Sequence, residues 1–274
     1  METIQAIILG IVQGASEFLP ISSSAHLFLI PKILDWGGVL NSLTFDVALH
    51  IGTTLAVLIF FWKDWLELIT SFFRNLPKGW SVVWNDPKSR LLVFLVVGTI
   101  PAGILGFLFD NYFENQVRNI PLVAFAMIAF AVILFIADRI GKKTRSITQI
   151  TLADSISIGL AQAVALIPGV SRSGITITTG LFRDIDRESA TKFSFLLSTP
   201  TILGASILKF KDLLHGSIDP SSSNIFLAGT VAAAISGFLA IKILLKFVQS
   251  NNFNIFVIYR ILLGIAVLAA FIGI

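Results

Sequence analysis

Six apolar runs dominate the chain, over residues 45–62, 91–109, 121–137, 190–208, 225–241 and 255–274. Each approaches the ~20 apolar residues with which a helix crosses a bilayer, so the pattern predicts six transmembrane helices. Two further apolar stretches are broken by polar residues. The first break is SEFLPISSSAH over residues 16–26, and the second is PGVSRSGIT over 168–176. Pro20 and Pro168 interrupt the helical hydrogen-bond ladder, and serines follow each. The spacing predicts two half-helices on either side of a turn, forming re-entrant hairpins over about 1–36 and 151–183.

The two halves resemble each other in order. Gly10-Ile11-Val12-Gln13 matches Gly159-Leu160-Ala161-Gln162, and Leu19-Pro20 matches Ile167-Pro168. Phe45, Leu49, Thr53 and Leu55 match Phe193, Leu197, Thr201 and Leu203. Gly98-Thr99, Ile104 and Gly106-Phe107-Leu108 match Gly229-Thr230, Ile235 and Gly237-Phe238-Leu239. A hairpin enters and leaves on one side, so three spans after it turn the second half upside down. The expected fold is an all-α polytopic membrane protein with an inverted-topology repeat. Residues 1–145 and 146–274 each contribute a re-entrant helical hairpin plus three transmembrane helices to one membrane domain. In such repeats, broken helices meet near the midplane.

Composition agrees with this pattern. Of the 274 residues, 55% are hydrophobic and 13% charged, against about 25% charged in soluble domains. Mean hydropathy is +0.87. The chain has no cysteine, which excludes disulfides, thiolate nucleophiles and thiol metal sites. Met1-Glu2-Thr3 lacks the basic start of a cleaved signal peptide, so the N-terminus is expected to belong to the mature protein. The net charge of +4 suits loop charge rather than nucleic-acid binding.

Lysine and arginine counting orients the fold. Lys63, Arg74, Lys78, Lys88, Arg90, Arg139, Lys142, Lys143, Arg145, Arg183, Arg187, Lys192, Lys242 and Lys246 fall on one side. Only Lys32, Arg118, Lys209 and Lys211 fall on the other, and Arg172 and Arg260 are intramembrane. The positive-inside rule makes the richer side cytoplasmic. Both termini and the first hairpin then face outward, and the second hairpin enters from the cytoplasm.

The broken stretches carry the chemistry. An ionised side chain near the bilayer centre costs at least ~2.5 kcal/mol and marks a functional site by default. Gln13 and Glu17 share a helix face, and Gly10 and Gly14 near it would admit another backbone. Ser22, Ser23 and Ser24 suit a helix start, whose N–H groups and dipole favour an anion. His26 lies one turn beyond Ser22. Glu17 could act as a general base or bind a hard cation such as Mg²⁺ or Ca²⁺. His26 could move a proton or act as a nucleophile. Taken singly, such groups have a blander use, the histidine bonding a carbonyl and serines bonding back along the helix. In the second stretch, Arg172 offers a planar fork of donors for phosphate, with Ser171, Ser173 and Thr176 around it. An Arg172–Glu17 pair could also serve only to hold the hairpins together. Gln162, Thr178 and Thr179 are ambiguous, Arg260 reads as structural, His50 could line a cavity, and His215 sits in an expected loop with no role.

Gln13 to Glu17, LPISSSAH over 19–26, PGVSRSGIT over 168–176, FSFLLSTP over 193–200 and IYR over 258–260 resemble the bacterial undecaprenyl-diphosphatases of the bacitracin-resistance type. The resemblance covers nearly the whole chain. It implies hydrolysis of undecaprenyl diphosphate to undecaprenyl phosphate and inorganic phosphate, which recycles the lipid carrier of cell-wall synthesis. It also implies a divalent cation and an active site open to the outer face of the cytoplasmic membrane. Carried onto this chain, Glu17 is the essential carboxylate and a metal ligand, and Ser23 the favoured nucleophile. His26 is then the acid/base or rival nucleophile. Arg172, counted with the catalytic residues, binds the diphosphate with Ser173, and Gln13, Ser22, Ser24, Ser171 and Thr176 line the substrate site. Two positions depart from the family pattern. Gln13 is often glutamate, which concentrates base and metal duty on Glu17, and Ala25 is commonly glycine.

The residues alone give an anion site suited to phosphoryl transfer, where positioning and charge neutralisation do most of the work. A transporter or flippase of an anionic polyprenyl lipid is the alternative, since inverted repeats with broken helices also serve transport. Expected partners are undecaprenyl diphosphate and membrane lipid, without nucleic acid, and a homodimer stays open.

Overall fold

The computed structural model describes residues 1–115, 119–215 and 223–272, with side chains described over 1–109, 119–206 and 223–271. Twelve α-helices lie in the described residues: α1 Glu2–Phe18, α2 Ser23–Ile33, α3 Leu43–Phe60, α4 Trp62–Asn75, α5 Trp80–Asn85, α6 Pro87–Asn115, α7 Ile120–Ile140, α8 Leu152–Val164, α9 Arg172–Phe182, α10 Arg187–His215, α11 Ser223–Phe247 and α12 Asn254–Ile272. No strand accompanies them in the described residues, only an isolated bridge between Arg145 and Ile185.

Five helices are long and apolar enough to cross a membrane: Leu43–Phe60, Pro87–Phe109, Ile120–Ile140, Ser223–Phe247 and Asn254–Phe271. This is a polytopic helical membrane protein. The expected span at 190–208 falls inside α10, which is long but not among those five. Its hydroxyls at Ser194, Ser198 and Thr199 are turned inward and buried. Residues 63–90, placed on the side richer in lysine and arginine, hold most of α4 and all of α5. One expectation about a connection changes. His215 ends α10, and its side chain lies outside the described residues, as do those of Arg118, Lys209 and Lys211.

Glycines set the tightest helix contacts. A Cβ added at Gly14 would lie 2.0 Å from Ser236 Oγ, and one at Gly10 would lie 2.3 Å from the Gly229 carbonyl. α1 and α11 thus meet backbone to backbone, as small residues allow in membranes. The same holds for α8 on α6, where a Cβ at Gly159 would meet the Gly98 carbonyl at 2.4 Å. The packing partners follow a pattern: α1 and α3 both lie on α11, α8 and α10 both lie on α6, and α7 lies on α12. An aromatic core closes beneath the end of α1, with Phe18 edge-on to Phe195 at 5.4 Å and Phe61 tilted against Phe195.

Charged side chains gather at one end of the bundle. Arg145 and Arg183 both bind Asp154, and Arg187 and Lys143 approach Asp138. Lys192 pairs with Asp64, and Lys88 with Glu67. The Asp154 contact to Arg183, 2.7 Å long, ties the start of α8 to the end of α9.

Candidate active site

α1 ends where Pro20 removes a backbone donor. Leu19 is extended, with φ −66° and ψ 143°, and the chain turns at Ser22, with φ 75° and ψ 93°, before α2 begins. After α8 the chain turns again at Ser171, with φ 74° and ψ 110°, and α9 begins. Both serines occupy the left-handed region that usually favours glycine. Each places its Oγ 3.3 Å from the hydroxyl two residues on, Ser22 with Ser24 and Ser171 with Ser173. Ser171 also caps α9 by accepting from the Gly174 N–H.

The two turns bring their polar groups together. Arg172 Nη2 meets Glu17 Oε1 at 2.8 Å, linking the second break to the first. Glu17 Oε2 accepts from Ser23 Oγ at 2.6 Å and from Gln13 Nε2 at 3.2 Å. Glu17 is only 8% exposed, and a buried carboxylate needs such partners. Ser173 Oγ donates to the Leu19 carbonyl, a second bond between the turns. Thr176 Oγ1 donates to the Arg172 carbonyl and bonds Ser194 Oγ at 2.6 Å. The Ser194 carbonyl in turn accepts from Arg172 Nη1.

His26 stands apart from this cluster. Its Nδ1–H donates to the Ser22 carbonyl at 2.7 Å, and its Nε2 lies 2.6 Å from the Tyr259 hydroxyl. A carbonyl can only accept, so Nδ1 carries a proton, and Nε2 shares a hydrogen bond with the Tyr259 hydroxyl. Ser24 is exposed and bonds Ser22. Sequence reasoning missed Tyr259 and Ser194, although both sit within the IYR and FSFLLSTP stretches. His50, from α3, reaches Glu17 Oε2 at 3.8 Å while its Nδ1–H donates to the Asp46 carbonyl.

Arg260 lies under both turns. It is fully buried and donates to the Pro20, Gly169 and Val170 carbonyls at 3.4, 3.0 and 2.9 Å. No carboxylate pairs with it among the described residues, so its charge is met by carbonyl dipoles of the two turns.

Fold and site together define a polytopic membrane protein in which two helix starts converge on a carboxylate, a hydroxyl and a guanidinium. The chain belongs to the bacitracin resistance protein BacA family, whose model matches residues 6–266. It is 46% identical over 267 residues to an undecaprenyl-diphosphatase of Thermodesulfovibrio yellowstonii, covering 97% of this chain and 96% of that one. It is 47% identical over 266 residues to an undecaprenyl-diphosphatase of Geotalea daltonii, covering 96% of each. With one from Elusimicrobium minutum it shares 48% over 269 residues, 98% of each.

Proposed function

We infer that this chain is an integral membrane phosphatase that hydrolyses undecaprenyl diphosphate to undecaprenyl phosphate and inorganic phosphate. By this activity it recycles the lipid carrier of cell-wall synthesis and confers bacitracin resistance. The family and the names of its relatives support this activity. The observation that carries the mechanism is the Ser23–Glu17–Arg172 line, in which a hydroxyl already donates to a carboxylate held by a guanidinium.

Ser23 Oγ attacks the terminal phosphorus. The Oγ–P bond forms, the bridging P–O bond breaks, and undecaprenyl phosphate leaves. The Ser23 proton passes to Glu17 Oε2, 2.6 Å away, which is general-base geometry. Arg172 moves one of its donors from Glu17 to the phosphoryl oxygens, with the starts of α2 and α9 supplying N–H groups. Water then cleaves the phosphoserine, and the proton returns to Ser23. Both ring nitrogens of His26 are engaged, which favours Ser23 over His26 as nucleophile. Hydrolysis requires this hydroxyl–carboxylate grouping, and flipping a lipid between leaflets does not.

The oxygen set fits a hard divalent cation. Gln13 Oε1 is buried without a hydrogen-bond partner, beside the Glu17 carboxylate. Among the described residues no group of three or more His, Asp or Glu could hold a metal by itself. Mg²⁺ commonly takes one or two protein oxygens plus substrate phosphates, so Glu17 and Gln13 would hold Mg²⁺ or Ca²⁺ together with the diphosphate. Bound there, the ion would neutralise phosphate charge.

The proposed topology is an inverted repeat with re-entrant hairpins α1–α2 and α8–α9, in repeats 1–145 and 146–274. The paired packing of α1 and α3 on α11 and of α8 and α10 on α6 supports it, as do the two matching serine turns. Among the described residues, every ion pair outside the Glu17 cluster joins residues from the side richer in lysine and arginine. That supports a cytoplasmic end in a bacterial inner membrane, with the site open to the outer face.

The test is phosphate release from a prenyl diphosphate by the purified chain, followed by acid trapping of the phosphoenzyme. Label on Ser23 is the expected result. Label on His26 overturns the nucleophile, and lipid movement between leaflets without phosphate release overturns the activity.

A further inference from the structure

Helix α4 has three faces. At 100° per residue, Trp62, Leu66, Ile69 and Phe73 fall in one sector, and all four are between 41% and 63% exposed. Lys63, Glu67, Thr70 and Arg74 fall in a second sector about 100° away, also exposed. The third sector holds Leu68, Ser71 and Asn75, which are buried against the protein. A helix with separate apolar, charged and protein-facing sectors matches a position along the plane of a membrane surface. At 14 residues it is too short to span.

The segment that follows adds to this. Gly79, at φ 105°, turns the chain into α5, where Trp80, Val82 and Trp84 are exposed. Four of the five tryptophans, Trp62, Trp65, Trp80 and Trp84, lie in these two short helices. Tryptophan concentrates where a bilayer meets water. Between α4 and α5 opens a cavity of about 470 Å³ that includes Arg74, Asn75, Lys78, Asn85 and Asp86 in its lining. Neither Arg74 nor Lys78 forms an ion pair among the described residues. Asp86 is turned to other use: it accepts from Ser71 and from the Ser89 hydroxyl and N–H. Burial pushes its carboxyl up, but these bonds and nearby Arg74 outweigh it and hold it below the usual carboxylate range.

We propose that α4 and α5 lie in the membrane surface and bind the phosphate of an anionic phospholipid headgroup in the Arg74–Lys78–Asn85 cavity. The apolar sector enters the acyl region, the charged sector faces water, and the two unpaired cations face the headgroup layer. Arg74 and Lys78 outnumber the one carboxylate in the lining, Asp86, so the net charge suits an anion, and the adjoining exposed stripe commits that anion to a lipid. The segment has a direct tie to the bundle, because Asp64 of α4 pairs with Lys192 of α10, two residues before Ser194.

The test uses the purified full chain carrying Trp36→Phe, so that emission comes from α4 and α5 alone. It is reconstituted in phosphatidylcholine vesicles with a minority of phosphatidylglycerol, and either lipid carries brominated chains at equal mole fraction. Brominated phosphatidylcholine should quench, which places the tryptophans at the bilayer. Brominated phosphatidylglycerol should quench more, since each cation near a headgroup enriches anionic lipid roughly fivefold. Arg74→Gln with Lys78→Gln should erase that preference while leaving the phosphatidylcholine quenching and the unfolding midpoint unchanged. Equal quenching by both lipids in the parent, or a preference that survives the double substitution, overturns the headgroup site. No quenching by either lipid overturns the surface position and leaves the stripe to a second copy of the chain. Erasure of the preference by inorganic phosphate identifies a free-phosphate site and also overturns the proposal.

Discussion

The turns at Ser22 and Ser171 share one backbone solution. Their φ and ψ values are 75° and 93° at the first and 74° and 110° at the second, and each serine bonds the hydroxyl two residues later. A buried glutamine precedes each break, Gln13 and Gln162, and each leaves its amide oxygen unpartnered. The side chains at the matched positions then diverge. Four residues after Gln13 stands Glu17, and four after Gln162 stands Leu166. The residue after the first turn is Ser23, and after the second it is Arg172. One turn thus carries the carboxylate and hydroxyl, while the other carries the cation that compensates them. Two alike turns supply two helix starts, and unlike residues at two positions make their meeting charge-complementary.

The largest expected effect comes from breaking that complementarity. Glu17→Gln keeps the shape and removes the base, and phosphate release should fall by about 10³-fold, within the range for general-base loss. Arg172→Ala should abolish release and also destabilise the protein by about 3–5 kcal/mol, because it leaves a buried carboxylate unpaired. The double variant Glu17→Gln with Arg172→Gln should recover part of that stability and none of the activity. Thermal unfolding in detergent beside phosphate release checks both. Single and double variants of equal stability would remove the pairing argument.

Ser23→Ala and Ser173→Ala test the division of labour directly. The first should eliminate both turnover and the trapped phosphoenzyme. The second loses one bond from Ser173 to the Leu19 carbonyl, worth about 1 kcal/mol, and should slow turnover by at most roughly fivefold while a phosphoenzyme still forms. Equal loss in both would mean that the second turn also carries chemistry.

Much of this was legible in the sequence. The prolines marked both breaks, and the apolar runs marked the five spans the structure shows. The costly charges Glu17 and Arg172 pointed to one site, and their salt bridge is present. The rest depended on partners distant in sequence. The partner of His26 was not foreseen: its Nε2 faces the Tyr259 hydroxyl, more than two hundred residues away. Nothing in local spacing reports that contact. Helix α4 was hidden because Lys63, Asp64, Glu67 and Arg74 lower its hydropathy, and α5 because it has only six residues. The 3.6-residue periodicity of α4 was the available signal. The positive φ at Ser22 and Ser171 was hidden because neither is a glycine. The run at 190–208 reads as a span and lies in α10, which carries the inward Ser194, Ser198 and Thr199 and is not among the five helices long and apolar enough to cross.

Arg260 joins the two turns without belonging to either. Arg260→Met keeps most of the volume and leaves the Pro20, Gly169 and Val170 carbonyls without their donor. An unsatisfied buried group costs about 1–3 kcal/mol, so the unfolding midpoint should drop clearly, and turnover should fall by less than in the Glu17 variant. Arg260→Lys should recover part of the stability, since an ammonium reaches fewer acceptors than the guanidinium fork. A midpoint unchanged by Arg260→Met would show that the turns hold each other without the clamp.

The smallest effect separates two backbones that look alike. Glycine relieves the left-handed conformation of a serine by about 1 kcal/mol. Ser22 makes no side-chain cap to its helix, so Ser22→Gly should stabilise the protein by up to that amount. Ser171 accepts from the Gly174 N–H, and a lost cap costs a few tenths to about 1 kcal/mol, so Ser171→Gly should come out near zero. Unfolding midpoints of the two variants in one detergent measure the difference. If Ser171→Gly gained as much as Ser22→Gly, the cap at the second turn would contribute nothing to stability.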